Sequence, residues 1–243
     1  MNLVIDIGNT LTKVALFDND GLMHMHSYHH FEAGDLPYYY KKHRINRAII
    51  SSVGINPEQL YHHIKEKEKS RVLVLDQHTP LPFRVNYKTP ETLGKDRLAA
   101  AAAAFHEFPG KDILVIDTGS CITYDVLTRD GTFQGGAISP GITMRYKAMH
   151  TFTQNLPRLK PEDEAKIVGK STAECMHSGV LNATVYEVDG MIEQYARLYD
   201  NLKIIMTGGD LIYFDKKVKN NIFARPNIVL KGLNIILKNY FEN

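Results

Sequence analysis

Two stretches of this chain carry one pattern at a fixed separation. "LVIDIGNTLTKVALFDNDG" at 3–21 and "LVIDTGSCITYDVLTRDG" at 114–131 each run from an apolar strand into an Asp-x-Gly turn, then to an Asp-Gly turn. Asp6, Gly8 and Thr12 recur as Asp117, Gly119 and Thr123, each 111 positions later. An apolar strand with an acid and a glycine is a common string, but two such strings with hairpin signals in matching places are not. The repeat therefore predicts a duplicated α/β architecture, two related domains with mixed sheets facing each other across a cleft. Residues 1–110 form the expected first domain and 111–243 the second, with the last helix free to pack back on the first.

The segments between fit that plan. Strands are expected at 2–7, 13–18, 47–54 and 71–76, and a half-exposed third strand in "LMHMHSYHHF". His24, His26, His29 and His30 crowd that stretch, but no carboxylate or Cys joins them at ligand spacing. Asn56 reads as an N-cap with Pro57 at N1 of a helix. The proline-broken "TPLPFRVNYKTPETLGKD" reads as irregular, and "RLAAAAAAFHEF" as a helix whose alanines admit a neighbouring backbone. The second cycle starts at "KDILVID", passes through helices over 144–200 with a polar loop inside, and closes on a strand-helix unit, "NIVLKGLNIILKNYF".

Composition excludes some classes. At 243 residues there is room for two cores, and a net charge of +2 does not point to nucleic acid or a membrane surface. The basic run "YYYKKHRINR" reads as a solvated turn before a strand. No apolar run approaches the roughly 18 residues of a membrane span. "MNLVIDIG" enters a strand directly, and the two cysteines, Cys121 and Cys175, read as free, mostly buried thiols. The expected location is the cytoplasm.

An acid at a glycine turn has a use where a phosphate donor arrives with Mg²⁺. Backbone N–H groups hold the phosphates, and the cation makes a carboxylate welcome. Asp6 then faces Mg²⁺, Asn9, Thr10 and Thr12 give polar contacts, and Lys13 gives positive charge. The alternative is that both aspartates only cap strands in tight turns. "VGKST" at 168–172 imitates a P-loop, but Glu164 stands where the first glycine belongs and no buried strand precedes it. In "LGKDR", Asp96 is either a helix N-cap or a general base beside a cation, and the sequence leaves both open.

Together these strings resemble the type III pantothenate kinases, in the acetate and sugar kinase, Hsp70 and actin superfamily. The resemblance runs from "DIGNTLTK" to "NIVLKGLN", and Tyr87 with Gly94, Lys95, Asp96 and Arg97 is its most specific part. It implies two ribonuclease H-like domains around a nucleotide and ATP-dependent phosphorylation of pantothenate, the first step of coenzyme A synthesis. It implies ATP contacts at Asp6, Ile7, Gly8, Asn9, Thr10, Leu11, Thr12, Lys13, Ser120, Gly208 and Gly209, with Mg²⁺ near Asp6. Tyr87, Gly94, Lys95, Asp96, Arg97 and Thr172 would bind pantothenate, with Asp96 as proton acceptor. Asp117 would hold a monovalent cation, potassium or ammonium, and the enzyme would be a homodimer. Lys95 stands where the family usually has Ala, and "DTGSCIT" replaces the usual "DxGTATT". The rival readings are a kinase of another small hydroxyl substrate and a non-catalytic nucleotide-binding regulator.

Overall fold

The computed structural model describes the chain apart from Ile55, Asp215, Lys216 and Asn243. The chain divides into two compact units. Unit 1 is Met1–Pro109 with Gly131–Phe133 and Asn227–Asn243; unit 2 is Gly110–Asp130 with Gln134–Pro226.

In unit 1, β1 (Asn2–Ile7), β2 (Thr12–Phe17), β3 (Leu22–Tyr28), β4 (Arg47–Ser52) and β5 (Arg71–Val74) form a sheet in the order β3-β2-β1-β4-β5. The two hairpin pairs are antiparallel, and β1–β4 and β4–β5 are parallel. Strand alternation divides the side chains between two faces. Leu3, Ile5 and Ile7 share a core with Leu36 and Tyr39 of α1 (Leu36–Lys42) and Leu60 of α2 (Glu58–His62). Asn56 Oδ1 accepts the Glu58 N–H at 3.0 Å, but the N-cap is Pro57 and the helix begins at Glu58, so the expected Asn56 cap with Pro57 at N1 lies one residue too early. The opposite face, which carries Val4 and Asp6, is covered by α3 (Lys95–Glu107) and α7 (Ile228–Glu242).

These two helices meet through small residues. Ala99 to Ala104 are buried, and a Cβ added at Gly232 would lie 1.7 Å from the Ala99 carbonyl oxygen. The alanine run does admit a neighbouring backbone. The strand-helix unit expected at 227–241 is instead helix from Ile228 onward, entered through Asn227 at φ 63°. Close packing on α3 overrides the β-branched start "IV". The proline-broken link is also less irregular than expected: β6 (Arg84–Val85) pairs in parallel with Thr132 and Phe133, the first residues of β9 (Thr132–Pro140).

In unit 2, β7 (Ile113–Thr118), β8 (Cys121–Thr128), β9, β10 (Lys203–Thr207) and β11 (Phe223–Ala224) run in the order β11-β10-β7-β8-β9. This is unit 1's order, with β7 in the place of β1 and β10 in the place of β4. Both sheets are mixed, as the repeat predicts. One detail of the echo fails. Asp6 pairs with Lys13, whereas Asp117 pairs with Thr123, because the second turn is one residue shorter. Thr123 thus stands where Lys13 does, not where Thr12 does.

The core of unit 2 joins Leu114, Ile116, Tyr124 and Met206 to α4 (Ile142–Thr151), α5 (Thr172–His177) and α6 (Ala183–Leu198). Both cysteines are free, but Cys121 is half-buried and Cys175 exposed, so the expected burial fails for Cys175. Among the described residues no helix is long and apolar enough to cross a membrane.

Candidate active site

Asp6 lies near the carboxyl end of β1, one residue short of the turn. Its register partners are Lys13 on β2 and Ser51 on β4, so all three side chains project from the face that α3 and α7 cover. The turn itself is closed by the Gly8 N–H donating to the Leu11 carbonyl at 3.1 Å. Asn9 and Thr10 are exposed at its tip, Leu11 and Lys13 are half-buried, and Thr12 is buried. Short polar groups and backbone amides at an exposed tip can receive phosphate oxygens.

The Asp6 carboxyl is pushed up to about 6, by burial first and by the charge of Asp96 second; Ser51 and Lys13 oppose the rise. The folded chain then holds a proton that the unfolded chain has lost above pH 3.8. Asp6 therefore subtracts stability as pH rises from the unfolded value to about 6. Asp96 stands in the first turn of α3, near enough for its charge to act on Asp6. The Asp6 carboxylate is a hard oxygen donor, of the kind that a hard divalent cation takes alongside waters and phosphate oxygens.

Asp96 is not the N-cap of α3. That position is Gly94, at φ −58° and ψ 130°. Asp96 Oδ1 instead accepts its neighbour's N–H, from Arg97, at 2.8 Å. Gly94 leaves space for this carboxylate, since a Cβ there would lie 2.5 Å from Oδ1. The obstacle is a flexible side-chain end, so Gly94→Ala is expected to fold normally and to displace the carboxylate. We expect kcat to fall at least tenfold, with a melting temperature within a few degrees of wild type. Wild-type turnover in that variant would separate the carboxylate position from catalysis.

Arg97 is buried. Its guanidinium carbon lies 5.8 Å from the Tyr87 ring and 5.9 Å from that of Phe133, at the outer edge of cation–π range. The Asn86 N–H donates to the Phe133 carbonyl at 2.9 Å, which ties the segment carrying Tyr87 to the start of β9. Tyr87, Gly94, Lys95 and Asp96 are half-buried around this group. Phe133 was not foreseen, because its partners are about 40 residues away and only β6 pairing brings them in.

Unit 2 repeats the turn with different support. Asp117 is half-buried at the end of β7, and Ser120 is exposed. The Gly119 N–H donates to the Cys121 carbonyl at 3.0 Å, and the Gly141 N–H to the Ser120 carbonyl at 3.1 Å. A Cβ at Gly141 would lie 2.1 Å from the Gly119 oxygen, and one at Gly208 2.2 Å from the Thr118 oxygen. Gly208 also has φ +105°, so it is confined by conformation and by space. Gly209 is exposed to open space. Asp210 donates its N–H to the Thr118 carbonyl at 2.9 Å. Its carboxylate accepts the Ile142 N–H at the start of α4, which partly offsets the upward push of burial.

Thr172 is exposed at the first position of α5, behind Ser171, whose Oγ accepts the Glu174 N–H at 3.2 Å. Thr172 therefore belongs to unit 2, whereas Tyr87 and Gly94 to Arg97 belong to unit 1.

The model of the type III pantothenate kinase family matches residues 2–194. A type III pantothenate kinase from Bacteroides fragilis is 45% identical over 237 residues, 98% of this chain and 97% of that one. Another, from Christiangramia forsetii, is 43% identical over 242 residues, 98% of each chain. Among solved structures, a ROK family glucokinase from Streptomyces griseus aligns with a TM-score of 0.56 at 11% identity, covering 98% of this chain and 99% of that one. A glucokinase from an Antarctic psychrotroph aligns with a TM-score of 0.54 at 16% identity, covering 98% of each chain. At such identities the likeness is one of fold.

Proposed function

The chain belongs to the type III pantothenate kinase family, and from that premise we propose that Asp96 is the general base of its reaction. The protein transfers the γ-phosphoryl group of ATP to pantothenate, giving 4′-phosphopantothenate at the first step of coenzyme A synthesis. The single observation that carries the assignment of Asp96 is its place in the first turn of α3, where it does not cap the helix and Gly94 leaves room for its carboxylate.

Phosphoryl transfer asks the protein mainly for positioning and charge neutralisation. The turn from Asp6 through Ile7, Gly8, Asn9, Thr10, Leu11 and Thr12 to Lys13 binds ATP phosphates through amides, hydroxyls and the Lys13 ammonium. Ser120, Gly208 and Gly209 are the ATP-binding residues of unit 2. Asp6 would hold Mg²⁺, which when bound neutralises phosphate charge. Asp117 would hold a monovalent cation, potassium or ammonium.

Tyr87, Gly94, Lys95, Arg97 and Thr172 bind pantothenate. Asp96 takes the proton of its primary hydroxyl as that oxygen bonds to the γ-phosphorus. The bond from γ-phosphorus to the bridging oxygen breaks, and ADP leaves with the electron pair. Arg97 is buried beside two aromatic rings, from where it would orient the segment. A cytoplasmic homodimer is the working form that the family resemblance implies.

The product distinguishes this reading from its rivals. Phosphorus NMR of a reaction with ATP, Mg²⁺ and pantothenate is expected to show a new phosphomonoester on the primary alcohol. Inorganic phosphate alone would favour a nucleotide-hydrolysing regulator, and phosphorylation only of a sugar would favour a kinase of another substrate.

A further inference from the structure

The last residues of β4 present a buried hydroxyl that leans toward Asp6 without meeting full hydrogen-bond geometry. Ser51 is fully buried, and its Oγ has no hydrogen-bond partner among the described residues. It is the parallel register partner of Asp6, while the next residue, Ser52, pairs with Ile7 and projects to the other face. Ser51 lies close enough to Asp6 to favour the charged carboxylate. A buried hydroxyl without a partner costs stability that Ala at the same position would not.

We propose that Ser51 is a further binding residue of the phosphate turn, its hydroxyl placed to meet the water shell of a divalent cation held by Asp6. The proposal rests on the assignment of the cation to Asp6. A serine hydroxyl has one proton and two acceptor lone pairs. Beside a charged Asp6 it donates to the carboxylate and accepts from a cation-bound water, so both its capacities are used only when the cation is present. Ala would remove both bonds, and Cys would nearly fill the space with a weak donor.

The test compares unliganded melting with Mg–ATP affinity by calorimetric titration, for wild type, Ser51→Ala, Ser51→Cys and Asp6→Asn. Ser51→Ala is expected to melt near the wild-type temperature and to bind Mg–ATP about three- to tenfold more weakly, the effect of one or two hydrogen bonds. Ser51→Cys should follow it. ATP with a chelator should bind wild type and Ser51→Ala alike. Lower unliganded melting with unchanged Mg–ATP affinity would make Ser51 structural and overturn the proposal. Equal weakening with and without the cation would overturn it also, moving Ser51 to a phosphate contact. Unchanged Mg–ATP affinity in Asp6→Asn would instead remove the cation from Asp6, and the Ser51 proposal with it.

Discussion

Gly232→Val is expected to leave little folded protein. A Cβ at Gly232 would sit 1.7 Å from the Ala99 carbonyl oxygen and 2.5 Å from its carbon. Neither atom is a side-chain end that can swing away, so α3 and α7 must separate or bend. Overpacking a core where side chains can adjust costs about 1–3 kcal/mol. Here backbone meets backbone, and the cost should exceed about 3 kcal/mol of a total stability of about 5–15 kcal/mol. Gly190, in α6, is the control: a Cβ there meets nothing within 4 Å. Gly190→Ala should hold or gain up to about 1 kcal/mol, since Ala is the better helix former. Urea midpoints for both variants check this, and a wild-type midpoint for Gly232→Val would contradict the helix contact.

The same contact shows where the sequence is readable and where it is not. The alanine run predicts a close neighbour but cannot say which. The neighbour, α7, lies more than 120 residues further on, and its opening Ile-Val favours a strand until packing decides. Duplication is legible for the opposite reason: hairpin turns are local, so Asp20–Gly21 and Asp130–Gly131 announce two antiparallel pairs and hence two similar sheets. Even there, one residue fewer in the second turn moves Thr123 into the position of Lys13. That shift is invisible in a string comparison at constant offset.

In the site, the sequence marks Asp6 and Asp96 separately, ninety positions apart. Their proximity arises because strand alternation turns Asp6 toward the face that α3 covers. Parallel pairing escapes local reading altogether: Ser51 is set beside Asp6 by register between strands 40 residues apart. Gly141 and Asp210, which support the second turn, also come from distant segments. Helix grammar leaves Asp96 open between cap and base, and the choice falls to Gly94, which supplies the cap geometry and frees the carboxylate.

Asp96→Asn is the second large effect. Asn has nearly the same shape and can still accept the Arg97 N–H, so α3 should begin as before. It cannot take a proton from an alcohol. General base catalysis contributes about 10²–10⁴-fold, and kcat should fall by that factor. Removing the Asp96 charge also relieves Asp6, whose carboxyl should titrate lower. Mg–ATP should then bind at least as tightly as in wild type, so the loss falls on turnover rather than on nucleotide affinity.

The most direct test is ADP release at saturating Mg–ATP, before and after addition of pantothenate, in wild type and Asp96→Asn. Release should rise with pantothenate in wild type, and the rise should shrink by about 10² or more in the variant while Mg–ATP affinity holds. A variant that keeps the wild-type rise, or a wild type that releases ADP equally without pantothenate, would contradict the account.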